Sequence, residues 1–262
     1  MTDFNDLVAW LDAALNAPEQ VPDVRERKPD LSASDAYRLQ AGVMAARVER
    51  GDRIVGYKAA LTSAAMQAQV GIPEPMLGTL LGSKVFDQSV PVSLSGRGFL
   101  RATLEPEIAV VMGHDLAGPG VTHADAMAAV RGYLPAIELG DYRTAEAVGR
   151  TLVGSVVCNT FNGGTVLGQP LSAPAGIDLR TEGMSMYLNG KPAGSGTGVE
   201  VLGDPLNSVV FMANKLAELD LSLKAGMILM TGSIVASIAL SPGDHVEVRF
   251  TRLGDVQVRV ED

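Results

Sequence analysis

The run Leu104-Glu105-Pro106-Glu107-Ile108-Ala109-Val110-Val111 limits what this chain can fold into more than any other stretch, because it sets two acids in a sequence that otherwise reads as buried strand. Side chains two apart on a strand point to one face, so Glu105 and Glu107 stand side by side with Pro106 turned away. In an apolar setting the two carboxylates lose hydration and repel, and both stay ionised only with positive charge between them. A third acid, Glu138, keeps similar company in Leu134-Pro135-Ala136-Ile137-Glu138-Leu139. Three oxygen ligands of this type suit Mg²⁺ or Mn²⁺ and leave octahedral positions open for substrate and water. The same spacing also permits an exposed strand face on which Glu105 and Glu107 pair with Arg or Lys.

A chain of 262 residues, 47% hydrophobic and 19% charged, can bury one large core, with or without an N-terminal helical appendage. Its 21 basic against 30 acidic residues give a formal charge of −9, which argues against nucleic acid or an anionic membrane as partner. Small anionic substrates stay open, since a bound metal inverts the local field. The lone Cys158 excludes an internal disulfide framework and fits a reducing compartment. The opening Met1-Thr2-Asp3-Phe4-Asn5-Asp6 is polar and acidic, unlike an export signal, so the expected location is the cytoplasm. The longest apolar run, around Met227–Met230 and Ile234–Leu240, is broken by Thr231-Gly232-Ser233 and is too short to span a bilayer.

Phe4, Leu7, Val8, Leu11, Ala14 and Leu15 recur at helical spacing, predicting an amphipathic helix over about 4–16, closed by Pro18 and Pro22. Ser32 with Asp35 opens a second helix over 33–49, stopped near Gly51. Residues 1–50 therefore read as a helical segment and 51–262 as a β-rich domain. Ile54-Val55-Gly56-Tyr57-Lys58-Ala59-Ala60-Leu61-Thr62 is a short strand carrying one lysine. Lys58 is either an edge residue with its amine in solvent or a cation aimed into a site. Thr62 or Ser63 caps a helical turn over 64–70, and 72–78 reads as a loop folded over a pocket. Thr122 with Asp125 opens a helix to Arg131, directly before the Glu138 strand. Strand, helix and strand in that order permit a parallel pair with a crossover, which would set Glu138 beside the first two acids.

In the C-terminal half, Met184, Met186 and Leu188 alternate into Asn189-Gly190, a hairpin signal, and Val246, Val248 and Phe250 alternate before Gly254-Asp255. A helix over about 205–218 interrupts them. Gly194-Ser195-Gly196-Thr197-Gly198 matches no dinucleotide or P-loop spacing and reads as a turn. His114, His123 and His245 show no metal-ligand spacing, and Cys158 reads as a small buried hydrophobe. Thr231-Gly232-Ser233, polar within an apolar strand region, either exposes N–H groups to a carboxylate or makes a tight corner.

These residues carry a family resemblance. Ile54 to Ser63, Glu105-Pro106-Glu107-Ile108-Ala109, Pro135-Ala136-Ile137-Glu138, Val201-Leu202-Gly203-Asp204-Pro205-Leu206, Thr231-Gly232-Ser233 and Pro242-Gly243-Asp244 together resemble the 2-keto-4-pentenoate hydratase and 4-oxalocrotonate decarboxylase family, within the fumarylacetoacetate hydrolase superfamily. The resemblance implies an α+β fold: a mixed β-roll core of the fumarylacetoacetate hydrolase C-terminal type with peripheral helices and an N-terminal helical segment. It implies Mg²⁺ or Mn²⁺ held by Glu105, Glu107 and Glu138, with Lys58 as catalytic base or carboxylate contact. A small 2-oxo acid substrate would touch Leu61, Thr62, Met76, Phe161, Thr231 and Ser233, in a homo-oligomeric enzyme.

Two departures bear on the reaction. Where hydratases of the family often carry an acid in a Pro-Asp-aromatic-Gly loop, this chain has Pro75-Met76-Leu77-Gly78. Where they tend to carry Asp-Asn-Ala-Ser, it has Cys158-Asn159-Thr160-Phe161. Met76 leans toward the decarboxylase branch; Phe161 fits neither. The expected activity is a metal-dependent lyase hydrating a 2-hydroxy-2,4-dienoate to a 4-hydroxy-2-oxo acid in aromatic-compound catabolism. The alternatives are a 4-oxalocrotonate-type decarboxylase, an acylpyruvate hydrolase and a catalytically silent metal-dependent binding protein. Burial beside a metal is expected to lower the Lys58 pKa toward acid/base work.

Overall fold

The computed structural model describes residues 3–262, so Met1 and Thr2 of the acidic opening lie outside it. The amphipathic stripe read from the sequence forms α1 (Phe4–Asn16), capped by the Asp3 carboxylate on the Asn5 N–H, with Leu7 and Leu11 buried. The Ser32/Asp35 capping box starts α2 (Ala33–Glu49), which packs against α1 so closely that a Cβ on Gly42 would meet Val8 at 2.8 Å. Leu7, Leu11, Leu39 and Val43 belong to the same apolar core as the strands. Within α2, the buried Gln40 amide donates to the Leu77 carbonyl at 3.0 Å and the Val156 carbonyl at 2.9 Å, fastening the helix to the body that follows.

That body begins with β1 (Ile54–Ala60), α3 (Ala64–Val70, capped by Ser63), β2 (Met76–Leu81), β3 (Val85–Asp87), β4 (Val92–Ser93) and the long β5 (Ala102–Met112). Then come α4 (His123–Ala129), β6 (Val130–Asp141), α5 (Glu146–Gly149), α6 (Leu152–Val157) and β7 (Asn162–Leu167). The chain closes with β8 (Gly183–Leu188), β9 (Lys191–Thr197), α7 (Pro205–Ala217), β10 (Ile228–Ser233), β11 (Ile238–Ala239), β12 (His245–Phe250) and β13 (Asp255–Glu261). A mixed eight-stranded sheet runs β2-β1-β10-β5-β6-β7-β3, with β11 beside β5, and a five-stranded sheet runs β4-β13-β12-β8-β9. The α+β, mixed-sheet class expected from the resemblance is the class observed.

The main core covers one face of the large sheet through Leu104, Ile108, Val110 and Ile137. The other face carries a small apolar group of Leu80, Ala109, Ala136 and Met230. Residues 105, 107 and 109 share a face by the strand repeat, so the two acids continue this second, sparser face.

Three expectations change. β5 and β6 pair antiparallel, not parallel. The helix between them is only seven residues and β6 starts at once from Val130, so the chain turns back instead of crossing over. The stretch 72–78 is not all loop, because Met76, Leu77 and Gly78 pair with Ala60, Ala59 and Lys58 of β1 and are buried. The glycines of 194–198 are largely strand: β9 pairs with β8 in the hairpin whose turn is Asn189-Gly190, at φ 52° and 76°.

Candidate active site

In the β5–β6 register Glu105 stands opposite Glu138, and Glu107 opposite Ala136. Directly opposed residues share a face, so the pairing brings three acids together. One carboxylate oxygen from each lies within 4.8 Å of the others. Glu107 is 0% and Glu138 2% exposed, with Glu105 half-buried. Lys58 reaches the same face because β1 pairs with β10 at Met230, which pairs in turn with Ala109. Its Nζ lies 2.8 Å from Glu138 Oε2 as an ion pair and donates to the Thr160 carbonyl at 3.3 Å.

Two further donors brace the trio. Asn162 Nδ2 donates to Glu138 Oε1 at 2.8 Å. The Gly232 N–H donates to Glu107 Oε2 at 2.7 Å, from a bulge in β10 where Gly232 adopts φ 116°. Thr231-Gly232-Ser233 thus makes the tight corner, and the N–H it exposes is taken by the chain's own Glu107 carboxylate. Glu107 Oε1 has no partner, and Glu138 Oε2 has the Lys58 ion pair without an aligned hydrogen bond.

Three carboxylates and one ammonium leave an excess of negative charge in a largely dry place, where each uncompensated ion costs several kcal/mol. Burial pushes the Glu105 carboxyl up to about 7, with the Glu138 charge adding and Lys58 opposing. Burial, then Glu138, likewise pushes Glu107 well above the usual carboxylate range. For Lys58 burial works against the charge, but Glu138, Glu105 and Glu107 outweigh it and the pKa rises. The expected lowering is thus reversed with the protein's own charges alone. The orphaned Glu107 oxygen and the oxygen-only donor set fit a hard divalent cation, whose double charge would balance the excess.

Lys58 and Glu105 line a cavity of about 620 Å³. Leu61, Thr62, Met76, Phe161 and Ser233 also line it. Thr231 does not. It is fully buried, its hydroxyl donates to the Ile108 carbonyl at 2.8 Å and its carbonyl accepts from Ser208 at 2.6 Å, so it holds the β10 corner instead of facing a ligand. The scattered histidines stay apart from the trio, His123 pairing with Asp204 at 3.1 Å. Cys158 is buried, and burial pushes its thiol up to about 12.

Sequence reasoning missed Tyr142, Arg101, Arg150 and Ser237 in the cavity wall. Tyr142 follows directly on β6 and stacks on Phe161, ring centroids 4.7 Å apart; only its place at a strand end could have drawn notice. Missed too was the backbone of Asn159, Thr160 and Phe161, all left-handed at φ 52°, 48° and 63°. Such strain persists only where the surroundings impose it. Here the Asn159 amide brackets Thr79, accepting from its N–H at 2.7 Å and donating to its carbonyl at 2.9 Å. The turn directs the Thr160 carbonyl to Lys58 and the Phe161 side chain to the cavity.

A mixed curled sheet with a buried carboxylate trio beside a cavity defines the class. Residues 48–261 match the family described as fumarylacetoacetate (FAA) hydrolase C-terminal, and the chain belongs to that family. A 2-keto-4-pentenoate hydratase of Paraburkholderia xenovorans (strain LB400) is 32% identical over 250 residues, 95% of this chain and 91% of that one. A 4-oxalocrotonate decarboxylase of Pseudomonas putida is 37% identical over 231 residues, 88% and 86% of the two chains. The solved structure of 4-oxalocrotonate decarboxylase from Pseudomonas putida G7, complexed with magnesium and adipate, matches with a TM-score of 0.91 at 32% identity, over 98% of this chain and 97% of that one.

Proposed function

We propose that the protein is a divalent-cation-dependent lyase that hydrates a 2-hydroxy-2,4-dienoate to a 4-hydroxy-2-oxo acid in aromatic-compound catabolism. The observation that carries this is the buried trio with an unpartnered carboxylate oxygen, set against Lys58 and a cavity sized for a small organic acid. Its relatives include enzymes named for this reaction.

Glu105, Glu107 and Glu138 would hold Mg²⁺ or Mn²⁺, with Gly232 and Asn162 fixing two of the carboxylates. When bound, the cation supplies Lewis-acid stabilisation of negative charge on the substrate's carboxylate and 2-oxygen. Lys58, protonated beside Glu138, keeps a proton within reach of an anionic substrate and serves as proton carrier or carboxylate contact. Thr62, Ser63, Ser233 and Ser237 are among the hydroxyl-bearing residues of the cavity wall that could orient water. Leu61, Met76, Phe161 and Ile234 supply apolar wall against the substrate tail, excluding bulk solvent.

Decarboxylation is the second reading, and Met76 favours it. This residue is buried in the cavity wall and can neither relay a proton nor position water. Incubation with Mg²⁺ and either 2-hydroxypenta-2,4-dienoate or 4-oxalocrotonate, following ultraviolet loss and CO₂ release, decides between them. Ultraviolet loss on the dienoate supports hydration, CO₂ from 4-oxalocrotonate replaces it with decarboxylation, and silence on both overturns the lyase reading. We further infer a cytoplasmic homo-oligomer. No helix among the described residues is long and apolar enough to cross a membrane. The helix α3, part of the cavity wall, buries none of its own residues, as a segment awaiting a neighbouring subunit would.

A further inference from the structure

On the other side of the Asn159–Phe161 turn lies a second cavity, of about 70 Å³. A water takes about 30 Å³ of liquid, so the space suits a small ion and not an organic substrate. Arg47, Lys84, Arg97 and Arg143 line it against the single carboxylate of Asp141. They come from α2, the residue before β3, a loop before β5 and the segment after β6, so no basic run in the sequence announces them. Such a positive focus in a chain of net charge −9 attracts anions.

The acids nearby are already engaged. Asp141 Oδ1 accepts from the Leu100 and Arg101 N–H groups at 2.9 and 3.0 Å, and its Oδ2 pairs with Arg143 at 2.7 Å. Arg47 pairs with Asp12 at 2.8 Å, and Asp12 also holds Arg50 at 2.5 Å. The buried Nε of Arg143 has no partner. Among the described residues Lys84 and Arg97 have no carboxylate at ion-pair distance, Arg97 lying instead over the Phe86 ring at 4.4 Å. Burial, then the charge of Arg47 and the other two arginines, lowers the Lys84 pKa despite Asp141. The group therefore has more positive charge than its own acids can meet.

We propose that this recess binds a small oxyanion, inorganic phosphate or a free carboxylate such as acetate, through Lys84, Arg97 and Arg143. The site is separate from the carboxylate trio, although Phe161 lines both cavities and Asn162 lines the recess while bracing Glu138. It does not depend on which reaction the larger cavity performs.

Calorimetric titration of the full chain, stripped of divalent ions at low ionic strength, tests this with phosphate and acetate in separate runs and chloride as the ionic control. One saturable site per chain for either anion, absent with chloride, is expected, and the anion that binds identifies the source. Lys84→Met and Arg97→Met each remove a charge-assisted contact, so each should weaken binding roughly tenfold or more. Thermal melting confirms that the variants fold, and either one suffices. No saturable binding by the parent protein, or equal binding by the folded variants, overturns the proposal. So does a parent that binds neither anion but loses oligomer mass in light scattering on Lys84→Met, which would give the cations to a carboxylate of another copy.

Discussion

At the residue scale the site is a problem of charge. Glu107→Gln keeps volume and removes one of the three negative charges, so divalent-ion affinity should fall at least about tenfold and metal-dependent turnover should vanish. The ion-free fold should melt no lower, because the variant relieves repulsion among buried carboxylates; titration calorimetry and thermal melting check the pair of outcomes. Asn162→Ala should weaken Mn²⁺ binding by roughly tenfold with all three acids intact, since it removes the donor that orients Glu138. Lys58→Met should retain Mn²⁺ binding and lose turnover by about 100-fold or more, measured as kcat on the dienoate. Glu105, Glu107 and Glu138 were readable because acids inside apolar strand runs are costly. Tyr142 was not, because nothing local distinguishes it from any half-buried tyrosine.

At the scale of elements the decisive piece is the β10 bulge. Gly232 sits at φ 116°, and a Cβ there would collide with Thr62. Gly232→Ala should cost roughly 1–3 kcal/mol in urea unfolding and loosen Glu107, whose Oε2 depends on that N–H. The longer helices were legible, since their signals are local: Ser32 with Asp35 and Thr122 with Asp125 form the expected capping boxes, whereas the short α5 and α6 were not anticipated. The strand 76–81 was obscured by Pro73 and Pro75 just before it. Its glycine, Gly78, is a close approach and not a break, for it packs against Lys58 and Thr160.

For the whole molecule, the raised Glu105 and Glu107 carboxyls tie stability to pH. An acid whose folded pKa lies above its unfolded value binds more protons when folded, so its contribution is present at low pH and is lost as pH rises. The ion-free protein should lose melting temperature between the ordinary glutamate value of 4.5 and about 7, the range over which Glu105 ionises. Saturating Mg²⁺ or Mn²⁺ should offset that loss, chelation with EDTA should restore it, and metal affinity should fall below about pH 7 as protons compete for the trio.

The sequence by itself determined most of the local decisions: the longer helices and their caps, the strands around Lys58, Glu105 and Glu138, the Asn189-Gly190 turn, and that three glutamates stand in apolar strand runs. It pointed to the family through motifs spread along the chain. Only the tertiary structure decided that β5 and β6 run antiparallel with Glu105 opposite Glu138, that Lys58 pairs with Glu138, that Thr231 faces inward and that four cations converge behind Phe161. Capping and periodicity act over a few neighbouring residues, whereas register and charge convergence follow from burying the whole core at once.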